Sequence, residues 1–274
     1  MGLLYRTPRA VELYQLRSVQ DVRIENRRQH HETGMLKPMG WSAWDRAVIQ
    51  DAAQTLGLGR DALTLHPSWM YHALAPFWDG HRGVAWLWPQ MAATTYAPLP
   101  ATLPLPAQFV AVKFYARATF EASALTANVA RETIRQIVES GSTVVLMDTG
   151  LITDDHLDFT WKEDHPRVLR LSQIAPVTAQ NNLALQAEVL SRSAGFVGTY
   201  GGVAQLALRL GKPSVSLYTQ WGGTAWAHRA LSEQWAASLG VTFQVLRIGD
   251  LPLIQTVLPK FLLQPASSAG NVPA

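Results

Sequence analysis

Residues 193–218 read SAGFVGTYGGVAQLALRLGKPSVSLY. An apolar run closes at Val197, glycines 198, 201 and 202 flank Thr199 and Tyr200, and apolar residues then recur at helical spacing as far as Gly211. A second β-rich run, PSVSLY, follows at once. Strand, glycine turn, helix and strand in this order are the repeating unit of a parallel sheet. Such a turn aims free backbone N–H groups and the positive end of the helix at whatever lies beyond the sheet. Gly201 and Gly202 carry no Cβ, so an anion is able to approach the backbone closely, and a diphosphate is the natural guest. The alternative is that the glycines only make a tight strand-to-helix turn. The spacing differs from the G-x-G-x-x-G dinucleotide fingerprint and falls late in the sheet. A Gly-Lys-Ser/Thr ending and a G-x-S-x-G elbow are both missing, which excludes a P-loop and a lipase-type nucleophile.

The flanking sequence repeats the alternation. QFVAVKFYA reads as a strand, followed by a helix from about Glu121 to Glu139 that Ser140-Gly141 ends; STVVLMD is the next strand. A polar loop, DTGLITDDHLDFTWKEDHP, leads to the strand RVLRLS, and Thr178 is placed to cap the helix AQNNLALQAEVLSRS. Beyond Tyr218 come a helix around Ala225–Leu239, the strand TFQVLRI and a last helix near Leu251–Leu263. The expectation for 107–264 is therefore an α/β, Rossmann-like parallel sheet covered on both faces. Lys113 and Arg117 lie at the end of its first strand, on the carboxyl edge that also carries the glycine turn. Ligands bind at that edge in open α/β sheets. Either cation is able to neutralise phosphate, and Arg117 can do so with two parallel hydrogen bonds. A strand-end cation facing solvent is the alternative.

Prolines at 89, 98, 100, 104 and 106 forbid a regular helix and favour an extended path. They set a boundary between a small N-terminal α/β segment, 1–106 with its proline-rich linker, and the domain 107–264; residues 265–274 form a tail. Before residue 89 two or three strands are expected, with six of the ten tryptophans (41, 44, 69, 78, 86 and 88) as core and interface. His66, between the candidate strand ALTLHP and Pro67, is a candidate general base, with a structural loop histidine as the alternative. Asp45 suits a helix start, His30-His31 a surface, and Asp154-Asp155-His156 a solvated loop, because no partners at ligand spacing accompany them. No metal site is expected.

Composition narrows the class. The 274 residues are 48% hydrophobic and 16% charged, enough for a sizeable core. With 23 Lys and Arg against 20 Asp and Glu spread along the chain, no basic stripe forms and a nucleic-acid partner is not expected. There is no cysteine, so thiolate nucleophiles, disulfides and Cys-based zinc sites are excluded. No apolar run approaches the ~20 residues that span a bilayer. The N-terminus MGLLYRTPRAVELY lacks a signal-peptide core, so a cytoplasmic setting is expected.

VAVKFYARATF, NNLALQAEVLSRSAGFVGTYGG and LALRLGKPSVSLY together resemble the C-terminal donor domain of bacterial GT-B glycosyltransferases, in their heptosyltransferase-like and fucosyltransferase-like branches. The resemblance covers about 107–264. It implies transfer of a sugar from a nucleotide-sugar donor to a glycan or other hydroxyl acceptor, without metal or cofactor. Gly198, Thr199, Tyr200, Gly201 and Gly202 would then hold the donor diphosphate, and Lys113 and Arg117 would stabilise the leaving group. Asp148 and Thr149 would lie near the nucleoside. Asn181 and Asn182 are further candidates, with helix capping as their alternative. The segment before residue 89 is short for the family's acceptor-side domain, so it is expected to be reduced or incomplete. Two other activities fit the same fold: a nucleotide-sugar epimerase, and a non-catalytic nucleotide-sugar or glycan-binding protein.

Overall fold

A computed structural model describes residues 50, 54, 57, 74–90, 99, 101–151, 157–159, 161, 164–178, 181–221 and 225–262 of the chain. The chain divides into two compact units, 1–95 and 96–274. In the first, α1 (Ala75–Trp78), α2 (Val84–Leu87) and a 3-10 turn at Trp88–Gln90 are described. Phe77 and Trp78 meet edge to face at 4.9 Å, and both are buried with Leu74 and Leu87. That is the core role expected of Trp78. His66, Asp45, His30, His31 and Trp41, Trp44 and Trp69 lie outside the described residues, as do Asp154, Asp155 and His156.

The second unit holds β1 (Val110–Lys113), β2 (Tyr115–Ala116), α3 (Ala124–Glu139), β3 (Val144–Leu146), β4 (Leu157–Asp158), β5 (Val168–Arg170) and α4 (Leu171–Ile174). It continues with α5 (Asn182–Arg192), β6 (Gly195–Thr199), α6 (Gly202–Arg209), β7 (Ser214–Tyr218), α7 (Ala225–Leu239), β8 (Phe243–Arg247) and α8 (Leu251–Leu262). Six strands form one sheet in the order β5-β3-β1-β6-β7-β8, and every pairing is parallel. This is a Rossmann-like α/β sheet, as expected from the sequence. The chain builds outward from β1 on one side, then returns through α5 to build outward on the other. The switch point, where a crevice opens beyond the strand ends, lies between β1 and β6.

The central strands are buried along their whole length, which explains their unbroken apolar runs. Val110, Val112, Phe114 and Leu146 share a core with Val129, Ala130, Ile134 and Ile137 of α3 and with Ile254, Leu258 and Phe261 of α8. Helix α3 starts three residues later than the sequence indicated. Ser123 accepts from the Thr126 N–H at 3.1 Å while Thr126 Oγ1 accepts from the Ser123 N–H at 3.0 Å, a reciprocal cap that fixes the boundary. Gly141, at φ 90°, ends it.

The long polar stretch after β3 is not wholly a loop. Its residues 157–158 form β4, which pairs antiparallel with β2 in a separate two-stranded sheet, Tyr115 opposite Asp158. Two residues give too short a pattern to reveal a strand by alternation, and tertiary pairing decides. Among the described residues no helix is long and apolar enough to cross a membrane.

Candidate functional site

Lys113 and Gly198 are direct partners across β1 and β6, so the cation-bearing strand end and the glycine turn meet at the switch point on the carboxyl edge. Close packing there explains Gly198. A Cβ on it would overlap the Lys113 carbonyl oxygen and stand 2.8 Å from Phe196 Cζ. Thr199 is fully buried, and its Oγ1 accepts from the Tyr115 N–H and donates to the Tyr115 carbonyl, both at 3.1 Å. The Tyr200 N–H donates to the Leu217 carbonyl at 2.9 Å. Its ring is buried against Trp221 and Phe243, with the hydroxyl 3.4 Å from the Ala225 carbonyl. Burial pushes that hydroxyl up to about 12. Gly198, Thr199 and the Tyr200 side chain thus build the turn from inside. Their polar atoms are committed to the fold; Gly201 is buried as well, and Gly202 is exposed.

Gly201 is the N-cap of α6, with φ 166° and ψ −155°. Any residue adopts that extended φ, so a glycine is not required there by backbone conformation. It is required by approach: a Cβ would overlap Tyr115 Oη and stand 2.7 Å from Arg117 Nη1. No side chain caps α6, and its first-turn N–H groups have no partner within the helix. Gly202 opens the helix on an exposed face where a Cβ would meet nothing within 4 Å.

Arg117 sits in the tight turn after β2, where its N–H and carbonyl bond Phe120 at 3.1 and 2.9 Å. Its Nε is buried without a hydrogen-bond partner. Its guanidinium pairs with no carboxylate among the described residues. A cation is therefore held beside the positive end of a helix, two like charges that an anion between them would reconcile. His228, in the first turn of α7, is close enough to Arg117 to feel its charge; burial first, and Arg117 second, lower the imidazole below its usual value. His228 was not singled out in the sequence, because a lone histidine inside a helix carries no local signal.

Lys113 faces the other way. Its Nζ donates to the Met147 carbonyl at 2.8 Å and pairs with Asp158 Oδ1 at 3.1 Å, with side-chain exposures of 10% and 17%. Asp158 also accepts from the Thr149 N–H at 2.8 Å and from Thr149 Oγ1 at 3.1 Å. Lys113, Asp158 and Thr149 thus fasten the end of β3 to β1. Asp158 was missed because its partners lie 45 and nine residues away. Asp148 points elsewhere: its Oδ2 lies 3.8 Å from Arg170 Nη1, and its Oδ1 is buried without a partner. Burial pushes the Asp148 carboxyl up, against a lowering influence from Arg170. Asn181 bonds the Thr178 N–H at 2.7 Å and the Pro176 carbonyl at 2.9 Å, and Asn182 begins α5, so both serve the helix start.

No protein-family model matches the chain, and no curated protein matches it. Solved structures similar to it include the E. coli heptosyltransferase WaaC with ADP, 14% identical over 82% of this chain and 58% of that one, with a TM-score of 0.36. Another is Thermosulfurimonas dismutans KpsC, a beta Kdo 2,4 transferase, 15% identical over 65% of this chain and 56% of that one, with a TM-score of 0.32. This chain spans little more than half the length of either. The strand order and register, not these likenesses, fix the fold class.

Proposed function

We propose that the unit containing β1–β8 is the donor half of a glycosyltransferase, which moves a sugar from a nucleotide-sugar to an acceptor hydroxyl. The observation that carries this reading is Arg117: a cation without a carboxylate partner among the described residues, beside Gly201 at the uncapped start of α6. A diphosphate seated there would accept from the first-turn N–H groups at Gly202 and from the guanidinium. As the glycosidic bond to the donor breaks, the leaving diphosphate gains charge, and fixed positive groups stabilise that charge most in the transition state. Two such groups offset it without a divalent ion, so metal-independent transfer is part of the proposal.

Nucleoside diphosphate binding, measured by calorimetry across the common bases, tests this reading. Arg117→Ala should weaken the best ligand at least tenfold, and raising the salt should narrow the gap between variant and wild type. Release of nucleoside diphosphate from a donor, undiminished by EDTA and dependent on an acceptor, would separate transfer from epimerisation and from simple binding. Binding unaffected by Arg117→Ala would sink the site.

A further inference from the structure

Arg117 has a carboxylate close by in the chain and does not pair with it. Its Nε is buried without a hydrogen-bond partner, which costs free energy until an acceptor is supplied. The next acidic residue along the sequence is Glu121. The turn folds it back, because Arg117 and Phe120 bridge antiparallel and Glu121 follows directly on the residue opposite Arg117. A guanidinium and a carboxylate so placed would ordinarily close into an ion pair, since both side chains are long. Glu121 is engaged elsewhere. Gln220, in the segment after β7, donates from Nε2 to Glu121 Oε1 at 2.6 Å, and the same nitrogen stands 3.5 Å from the Ala118 carbonyl.

The segment that delivers Gln220 is fastened to the Arg117 turn by its backbone. The Thr219 N–H donates to the Thr119 carbonyl at 2.8 Å, and the Thr219 hydroxyl donates to the same oxygen at 3.2 Å. Arg247 Nε donates to the Thr219 carbonyl at 3.3 Å. Thr119 Oγ1 in turn donates to the carbonyl of Tyr200, the residue before Gly201, at 3.5 Å. We propose that Gln220 is a positioning residue for Arg117: by occupying Glu121 it keeps that carboxylate off the guanidinium, and so keeps the cation open to an anion at the start of α6. The inference rests on the diphosphate reading above and supplies the reason that the cation stays available. An ion pair with Glu121 would consume the guanidinium N–H groups that a phosphate needs. A neutral amide holds the carboxylate by a hydrogen bond and brings no charge of its own.

The test uses the full chain, titrated by calorimetry with ADP, GDP, CDP and UDP, and the tightest of these is the probe. Gln220→Leu, close in size and without a donor, should weaken the probe at least fivefold while the melting temperature moves little. Adding Glu121→Gln to Gln220→Leu should bring the affinity back to within twofold of wild type. Glu121→Gln alone should bind at least as tightly as wild type. Gln220→Asn, one methylene shorter, should repeat the loss and the recovery, and it serves if Gln220→Leu fails to fold. A loss that Glu121→Gln does not recover would mean that Gln220 only supports the turn, and the positioning role is overturned. Wild-type affinity in both Gln220 variants overturns it too. Either result leaves the donor site standing as long as Arg117→Ala weakens the probe. If Arg117→Ala has no effect, or no diphosphate binds at millimolar concentration, the donor site falls and the role of Gln220 falls with it.

Discussion

Arg117 Nη1 stands 2.7 Å from the point that a Cβ on Gly201 would occupy, so the guanidinium rests against the backbone at the entrance of α6 because that residue is a glycine. To the two alternatives left by the sequence, a turn glycine and a glycine that admits an anion, the geometry adds a third. Gly201 makes room for the cation that would meet the anion.

This geometry separates two neighbouring substitutions. Gly201→Ala has to displace Tyr115 Oη and Arg117 Nη1, and Tyr115 is itself only 1% exposed, so stability and nucleotide affinity should fall together. Gly202→Ala meets open space at the first position of a helix, where alanine costs no strain and is the better helix former. Its melting temperature should hold or rise by a few degrees. Diphosphate affinity should nevertheless drop severalfold, because the methyl enters the space assigned to the phosphate. A variant with unchanged stability and unchanged affinity would place the phosphate elsewhere.

Lys113 and Asp158 form a pair with little exposure, so removing one partner strands the other's charge. Lys113→Met should destabilise the protein by about 3 kcal/mol, read from chemical denaturation. Adding Asp158→Asn should recover a good part of that loss. A salt-bridge role predicts this coupling. A purely ligand-binding role for Lys113 predicts a near-neutral effect on stability and no recovery.

The sheet was legible because its central strands are buried on both faces and its helices keep a regular apolar spacing, both local properties. The glycine turn was legible for the same reason: strand end, glycines and helix start are contiguous. What local sequence cannot reveal is which polar atoms are already satisfied. Lys113 and Arg117 look alike as strand-end cations, yet the first is claimed by Asp158 from a two-residue strand inside a polar stretch, and the second has no such partner among the described residues. His228 matters through its surroundings, a nearby guanidinium brought there by packing between distant segments.

The proline-rich segment is tied down by one carboxylate. Glu188 of α5 accepts from the Thr102 N–H and the Leu103 N–H at 2.7 Å and from Thr102 Oγ1 at 2.6 Å, while Arg192 pairs with it at 3.1 Å and bonds the Leu103 carbonyl. Burial alone would raise this carboxyl, but the bonds from Thr102, Leu103 and Arg192 hold it below its ordinary value. Hydrogen bonds to a charged group contribute ~1.5–3 kcal/mol each before non-additivity. Glu188→Gln should lower stability at pH 7 by about 2 kcal/mol and expose the segment around Thr102 to proteolysis. Because the folded carboxyl titrates below its ordinary 4.5, the advantage of the wild type is complete above that pH and fades as pH falls through the folded value. A pH-independent difference would mean that the charge is not what holds the segment.

Asp148 should behave in the opposite sense. Burial raises its carboxyl above the ordinary 3.8, so the folded protein holds the proton more tightly than the unfolded chain does. Below 3.8 both states are protonated and the residue contributes nothing to the pH dependence of stability. As pH rises above that value the unfolded chain ionises first, and stability falls until the folded carboxyl has ionised as well. Asp148→Asn removes the titration and keeps the shape of the side chain. Its melting temperature should therefore exceed that of the wild type at pH 7, and the difference should shrink to nothing near pH 3. Melting curves at pH 3, 5 and 7 measure all of this. A wild type that is more stable than Asp148→Asn at pH 7 without ligand would show that the pairing with Arg170 outweighs burial, and the carboxylate would then be a structural element in its own right.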